Sequence, residues 1–201
     1  TIGNCVMRVC EPTDGSIVFN GRDINLLDKK NLRGLRKELQ MITQDPYASL
    51  DPRKCIQDIL LEGPRVQHMG LSAGEEADLA SRLLMLVGLN PEFADRYPHE
   101  FSGGQRQRIS IARALAVSPA FIVCDEIVSA LDVSIQAQIV GLMQSLQENL
   151  GLTYIFIGHD LSVVRHISDQ VAVLYLGKIM ELTSSDELYA RPLHPYTQAL
   201  I

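Results

Sequence analysis

The chain has no uninterrupted apolar run of about 18 residues, so nothing in it is long enough to cross a bilayer as a helix. It has no cleavable leader pattern, and any membrane contact is expected through partner subunits. It lacks a surplus of positive charge: the formal net charge is −6 and the pI near 5.3, which offers no general attraction to nucleic acid. Its four cysteines, Cys5, Cys10, Cys55 and Cys124, form no Cys-x-x-Cys pair and no spacing with histidine that would read as a zinc site. Reduced, mostly buried thiols are expected. Internal repeats, low-complexity segments and long heptad runs are also missing. What is present is enough for one substantial core, with 201 residues of which 46% are hydrophobic and a mean hydropathy of +0.07.

Period and punctuation give the organisation. Ser16-Ile17-Val18-Phe19 followed by Asn20-Gly21 predicts a hairpin strand, and Leu32 to Leu39 a short helix. From about Pro52 to Ala116 the pattern is helical, with Ser72 and Glu75 capping a run whose Leu79, Leu83, Leu86 and Val87 fall on one face. Strands near 121–125, 153–158 and 171–175 then alternate with a helix near 134–149 carrying the stripe Ile135, Ile139, Leu142, Met143 and Leu146. That alternation predicts a parallel α/β core. Gly177 implies a last turn between paired strands 171–175 and 178–182.

Four places carry chemistry. In Phe101-Ser102-Gly103-Gly104-Gln105-Arg106-Gln107-Arg108, Ser102 is a good N-cap and Gln105 completes a capping box, so a helix should start at Gly103. Its first N–H groups and dipole suit an anion, and the glycines let a phosphate approach the backbone; Ser-Gly-Gly alone also fits an ordinary capped helix. The run Phe121-Ile122-Val123-Cys124 ends in Asp125-Glu126, two carboxylates at the carboxyl end of a buried strand, where open α/β sheets bind ligands. Asp125 suits a hydrated Mg²⁺ and Glu126 can polarise an attacking water, although solvated acids at a strand end would read the same. Tyr154-Ile155-Phe156-Ile157-Gly158 delivers His159 to a similar edge, and Leu39-Gln40-Met41-Ile42-Thr43 delivers Gln44, which can reach a metal or a water.

Taken in order, Gln44, Ser102-Gly103-Gly104-Gln105, Asp125-Glu126, Ser129-Ala130-Leu131-Asp132 and His159 resemble the Q-loop, signature, Walker B, D-loop and H-switch of ATP-binding cassette (ABC) ATPases. The resemblance spans nearly the whole chain. Gln44-Asp45-Pro46-Tyr47-Ala48-Ser49-Leu50-Asp51-Pro52-Arg53, Ser129 to Ser134 and His194-Pro195-Tyr196-Thr197 are similar to the dipeptide, oligopeptide and glutathione importer branch. Ile127, a non-proline after the Walker B Glu, is similar to glutathione-importer ATPases, whereas most peptide-importer relatives carry Pro there.

The resemblance implies a P-loop NTPase nucleotide-binding domain: an antiparallel β-region and parallel α/β core over about 1–51 and 117–201, with an inserted helical subdomain over about 52–116. It implies ATP and Mg²⁺, with Asp125 and Gln44 at the metal, Glu126 orienting the attacking water and His159 contacting the γ-phosphate. Ser102, Gly103, Gly104, Gln105 and Asp132 would serve the nucleotide of a second cassette in a head-to-tail dimer. Permease subunits would dock on Tyr47 to Arg53, a Pro-bounded loop that alternatively only packs on the helical part. A periplasmic or extracellular substrate-binding protein would act indirectly. The expected setting is the cytoplasmic face of a bacterial inner membrane.

The chain departs from the family at its beginning, because it contains no Gly-x-x-x-x-Gly-Lys-Ser/Thr. Alignment of Glu11 to Gly15 with the turn after the P-loop helix would set Thr1 directly after the Lys-Ser pair, with Thr1 to Cys10 as the rest of that helix. A chain truncated at its N-terminus, and not itself hydrolysing ATP, is therefore expected. Two alternatives stay open: a non-hydrolysing regulatory half of a cassette pair, and a soluble cassette ATPase acting on nucleic acid or ribosomes.

Overall fold

The computed structural model describes residues 1–201. In chain order the helices are α1 (Ile2–Val6), α2 (Lys29–Leu35), α3 (Pro46–Ser49), α4 (Ile56–Val66), α5 (Ala73–Leu86), α6 (Gly103–Leu115), α7 (Val133–Leu150), α8 (Leu161–Ile167), α9 (Ser185–Ala190) and α10 (Pro195–Leu200). The strands are β1 (Val18–Phe19), β2 (Arg22–Asp23), β3 (Leu39–Ile42), β4 (Phe121–Asp125), β5 (Thr153–Ile157), β6 (Gln170–Tyr175) and β7 (Lys178–Ser184).

Strand β4 lies at the centre of a parallel sheet ordered β3-β4-β5, with Ile42 beside Cys124 and Asp125 beside Ile157. Ile122, Val123 and Cys124 are fully buried, as expected of a strand covered on both faces. On one side α1 packs close, and a Cβ added to Gly3 would meet Val123 Cγ1 at 3.1 Å. The return from β4 to β5 runs through α7, which Asp132 caps and Gly151 ends in a left-handed conformation. Ile139, Met143 and Leu146 of the expected stripe are buried, with Ile135 and Leu142 packed beside them. One core of 27 buried residues runs without a break from α4, α5 and α6 into β3, β4 and α7. The helical part is therefore set apart by its connectivity and not by a core of its own.

The structure corrects several expectations. Helix α2 begins at Lys29, not near Leu32, because Asp28 accepts the Asn31 amide at 2.7 Å, and Leu39 is already strand, paired with Phe121. On α5 the buried set is Ala80, Leu83 and Leu84 with Val87, while Leu86 is 40% exposed. These residues keep the i, i+3, i+4, i+7 spacing of one helical face, and it is this face, with Leu86 outside it, that α5 turns toward α4 and α6. The first helix stops at Val6, well short of Cys10; Arg8 turns left-handed and its Nη1 donates to the carbonyls of Ile24 and Leu27, both at 2.7 Å. Strand β6 does not join the parallel sheet. The left-handed pair Leu176-Gly177 folds the chain straight back, and β6 and β7 form a separate antiparallel pair. The Glu181 carboxylate on β7 accepts the amides of Leu193 (3.0 Å) and His194 (3.1 Å), which docks the start of α10.

No helix is long and apolar enough to cross a membrane. All four cysteines are free thiols, but only Cys124 is buried, while Cys5 and Cys55 are half-buried and Cys10 is exposed. Burial pushes the Cys124 thiol well above its ordinary pKa, which removes the reactive thiolate. Alkylation under native conditions is expected to label Cys10 first and to reach Cys124 only on unfolding. Mass mapping that found native Cys124 labelled as fast as Cys10 would contradict this packing.

Candidate functional site

The carboxyl ends of β3, β4 and β5 lie side by side, and each releases one polar residue of the expected set. Gln44 follows β3, Asp125 ends β4 with Glu126 directly after it, and His159 follows β5 by two residues. Glu126 is left-handed, at φ 51°, a conformation that a side chain beyond glycine adopts at a cost. The turn is held by the Glu126 amide donating to the Ile157 carbonyl at 2.9 Å, and the next residue, Ile127, is sunk in the core at 2% exposure.

This turn brings three of the expected residues together. Gln44 Nε2 donates to Glu126 Oε2 at 3.0 Å, and His159 Nδ1 lies 3.4 Å from the same oxygen. Ser129 adds a fourth member: its hydroxyl donates to the Glu126 carbonyl at 2.9 Å and lies 3.5 Å from Gln44 Nε2. A cavity of about 50 Å³ opens beside them, lined by Glu126, Ser129, Gln136, His159 and Asp160. It has room for an ordered water, which needs roughly 10–15 Å³ of such volume and polar partners.

Asp125 is half-buried at the strand end next to this group. No three acidic, histidine or cysteine side chains cluster as a protein-only metal cage. That donor set suits Mg²⁺ held by one carboxylate and by phosphate oxygens better than a cation wrapped by protein. Gln44 commits its Nε2 to Glu126, which leaves its carbonyl oxygen as an acceptor for a metal or water.

The segment Ser129 to Asp132 is a tight turn pinned by Gln136, whose Nε2 donates to the carbonyls of Val128 and Leu131, both at 3.1 Å. Sequence reasoning missed Gln136; its place one turn into α7, four residues after a capping Asp, was the available signal. Asp132 itself is engaged as a cap, accepting the Ser134 hydroxyl at 2.8 Å and the Ile135 amide at 3.1 Å. The Ser134 hydroxyl, followed by the Ile135 amide, holds its carboxyl below the usual range.

Ser102 and Gln105 form the expected capping box: Ser102 Oγ accepts the Gln105 amide at 3.3 Å and Gln105 Oε1 accepts the Ser102 amide at 3.0 Å. No hydrogen bond joins Ser102, Gly103, Gly104 or Gln105 to the Glu126 group. The two glycines differ in surroundings. A Cβ on Gly103 would meet Leu131 Cδ2 at an ordinary 3.7 Å, whereas one on Gly104 would sit 2.6 Å from Ile135 Cγ2. Gly104 is thus required by the close approach of α6 to α7, a packing reason that the phosphate argument did not include. Thr1 is exposed and begins α1 without a side-chain cap; it has no side-chain hydrogen bond to the group around Glu126.

A parallel sheet that gathers Gln, Asp-Glu and His at its carboxyl edge, beside a capped Ser-Gly-Gly helix, defines a nucleotide-binding cassette fold. Among solved structures the chain is similar to cbiO1 from Clostridium perfringens, part of an ABC transporter complex, with TM-score 0.83, 26% identity, and coverage of 94% of this chain and 74% of that one. It is also similar to the ATP-binding cassette MJ0796, seen as a dimer bound to ADP and Pi, with TM-score 0.79, 27% identity, and coverage of 92% and 79%. The family model described as ABC transporter matches residues 1–129, and the chain belongs to that family.

Among curated proteins it is 58% identical to the oligopeptide transport ATP-binding protein AppF of Bacillus subtilis (strain 168), over all of this chain and 61% of that protein. With the oligopeptide transport ATP-binding protein OppF of the same organism it shares 54% identity, over all of this chain and 66% of that one. The chain thus spans roughly three fifths to two thirds of the length of these relatives.

Proposed function

We propose that this chain belongs to an ATP-binding, ATP-hydrolysing subunit that energises import of peptides, with glutathione as a further candidate cargo. The observation that carries the reading is the meeting of Gln44, Glu126 and His159 on one carboxylate oxygen at the edge of the parallel sheet. In this role Glu126 accepts a hydrogen bond from the attacking water and orients it, and Gln44 holds the Glu126 carboxylate in place. His159, 71% exposed in its side chain, is free to contact a γ-phosphate. Asp125, with the Gln44 carbonyl oxygen, would hold Mg²⁺. When bound, that ion supplies charge neutralisation on the phosphate oxygens.

Ser102, Gly103, Gly104, Gln105 and Asp132 stand outside the Glu126 group, which supports their use toward a nucleotide held by a second cassette. The solved relative MJ0796 is described as dimeric. Integral-membrane permease subunits, reached through Tyr47 to Arg53, and indirectly a substrate-binding protein complete the proposed assembly, at the cytoplasmic face of a bacterial inner membrane. We treat about 52–116 as its helical subdomain. A net charge of −6 speaks against a nucleic-acid partner.

Deleting the gene that encodes this sequence is expected to abolish uptake of labelled oligopeptides. The intact gene should restore uptake, and a copy carrying Glu126→Gln should not. Labelled glutathione, run in parallel, separates the two cargoes. Undiminished uptake of both after deletion would overturn the proposal.

A further inference from the structure

Helix α3 is only four residues long, yet it is bound to α6 at three points along one face. Arg106, Ser110 and Arg113 stand at i, i+4 and i+7 and so share that face. The Arg106 guanidinium stacks on the Tyr47 ring, with Cζ 3.7 Å from the ring centroid. Ser110 Oγ lies 3.4 Å from Ser49 Oγ, and Arg113 Nη1 donates to the Ser49 carbonyl. At its other end α3 is tied to Gln44 through a single residue, Asp45, whose carboxylate caps it by accepting the Tyr47 amide at 2.7 Å and the Ala48 amide at 3.2 Å.

Arg106 does more than touch Tyr47. It is buried to 6% exposure and forms no ion pair. Its Nε donates to the Pro98 carbonyl at 2.7 Å and its Nη2 to the His99 carbonyl at 3.4 Å. Those carbonyls both belong to one 3-10 turn, Pro98–Glu100, which leads through the buried Phe101 into Ser102. A planar guanidinium suits this task, because its fork grips two carbonyls while its face remains free to stack.

We infer that Arg106 is a positioning residue: held between Tyr47 and the Pro98–Glu100 turn, it sets the orientation of Ser102 to Gln105 according to the position of α3. Tyr47, 66% exposed, is the point at which a partner pressing on α3 would be felt at the start of α6. The functional meaning rests on the nucleotide reading above, but the mechanical link does not.

Hydrogen exchange read by mass spectrometry on the full polypeptide that contains this sequence tests the link, with no nucleotide or partner added. The reporters are the hydrogen-bonded amides of Glu100, Phe101, Ser102, Gln105 and Arg106. Tyr47→Ala removes the stack at an exposed position and is expected to speed their exchange about tenfold, leaving the amides of α5 unchanged. Tyr47→Phe keeps the ring and should return exchange to the parent rate.

No acceleration in Tyr47→Ala, an equal acceleration across α5, or a Tyr47→Phe variant that behaves like Tyr47→Ala would each overturn the inference. Loss of peptide uptake cannot substitute for this readout. A polypeptide that carries a Gly-x-x-x-x-Gly-Lys-Ser loop before Thr1 and shows the expected exchange pattern, yet has no nucleotide chemistry, would remove the nucleotide reading and leave the link standing.

Discussion

In a polypeptide that sets a Gly-x-x-x-x-Gly-Lys-Ser loop directly before Thr1, Glu126→Gln is expected to lower ATP turnover about 10²- to 10⁴-fold while nucleotide binding persists. The substitution is nearly isosteric, so Ile127 stays in the core and the left-handed turn is not disturbed. It removes the negative charge and the proton-accepting capacity, replacing one carboxylate oxygen with an amide NH₂. The carboxylate that is lost is the one whose Oε2 now accepts Gln44 Nε2 at 3.0 Å and lies 3.4 Å from His159 Nδ1. Steady-state phosphate release together with equilibrium nucleotide binding separates the two effects. Turnover within about twofold of the parent would remove Glu126 from the chemistry. The 201-residue chain alone, without a phosphate-cradling loop among its residues, is expected to be inactive in the same assay and is the natural baseline.

Gly104→Ala is expected to destabilise the fold by about 1–3 kcal/mol, the usual range for overpacking, even though alanine is the better helix former. The added Cβ would lie 2.6 Å from Ile135 Cγ2. Ile135 is β-branched and sits in the first turn of α7, where its χ1 has one strongly preferred state, so it cannot swing aside cheaply. Gly103→Ala meets only an ordinary 3.7 Å contact and should change stability by less than roughly 0.5 kcal/mol. Chemical denaturation of both variants, and of Gly104→Ala combined with Ile135→Ala, measures the packing term. The double variant should show strong non-additivity, because the second substitution removes the clashing methyl. Equal stability of the two glycine variants would refute the packing assignment. A Gly103→Ala variant that is stable but fails to associate with a second cassette on ATP would locate the phosphate approach at Gly103.

These two positions also mark what is legible from a linear reading. The Glu126 site was readable because a buried parallel strand must be an apolar run, and its end is announced where that run meets polar side chains: Cys124 to Asp125, Ile157 to His159, Ile42 to Gln44. Capping is legible for a similar reason, since Ser102 and Gln105, or Ser72 and Glu75, satisfy one another within three residues. Gly104 was read as open to a ligand because its real neighbour, Ile135, lies in another helix. The boundary of α2 was misread at Asp28, and the buried face of α5 at Leu86, because contact with two other helices selects the Ala80, Leu83, Leu84, Val87 phase of a helical stripe that the apolar residues alone left open.

The sequence by itself determined the capped starts of α5 and α6, the three apolar strands of the parallel sheet, and which polar residues stand at the ends of β3, β4 and β5, because each depends on interactions between near neighbours in the chain. Only the tertiary structure decided that Gln44 meets a carboxylate 82 positions away, that Glu126 turns left-handed to present it, and that β6 pairs with β7 apart from the parallel sheet. It likewise decided that Arg106 bridges Tyr47 to the turn before Ser102. Those outcomes depend on packing between segments distant in sequence, where a contact is selected by the shape of the whole core and leaves no local signature.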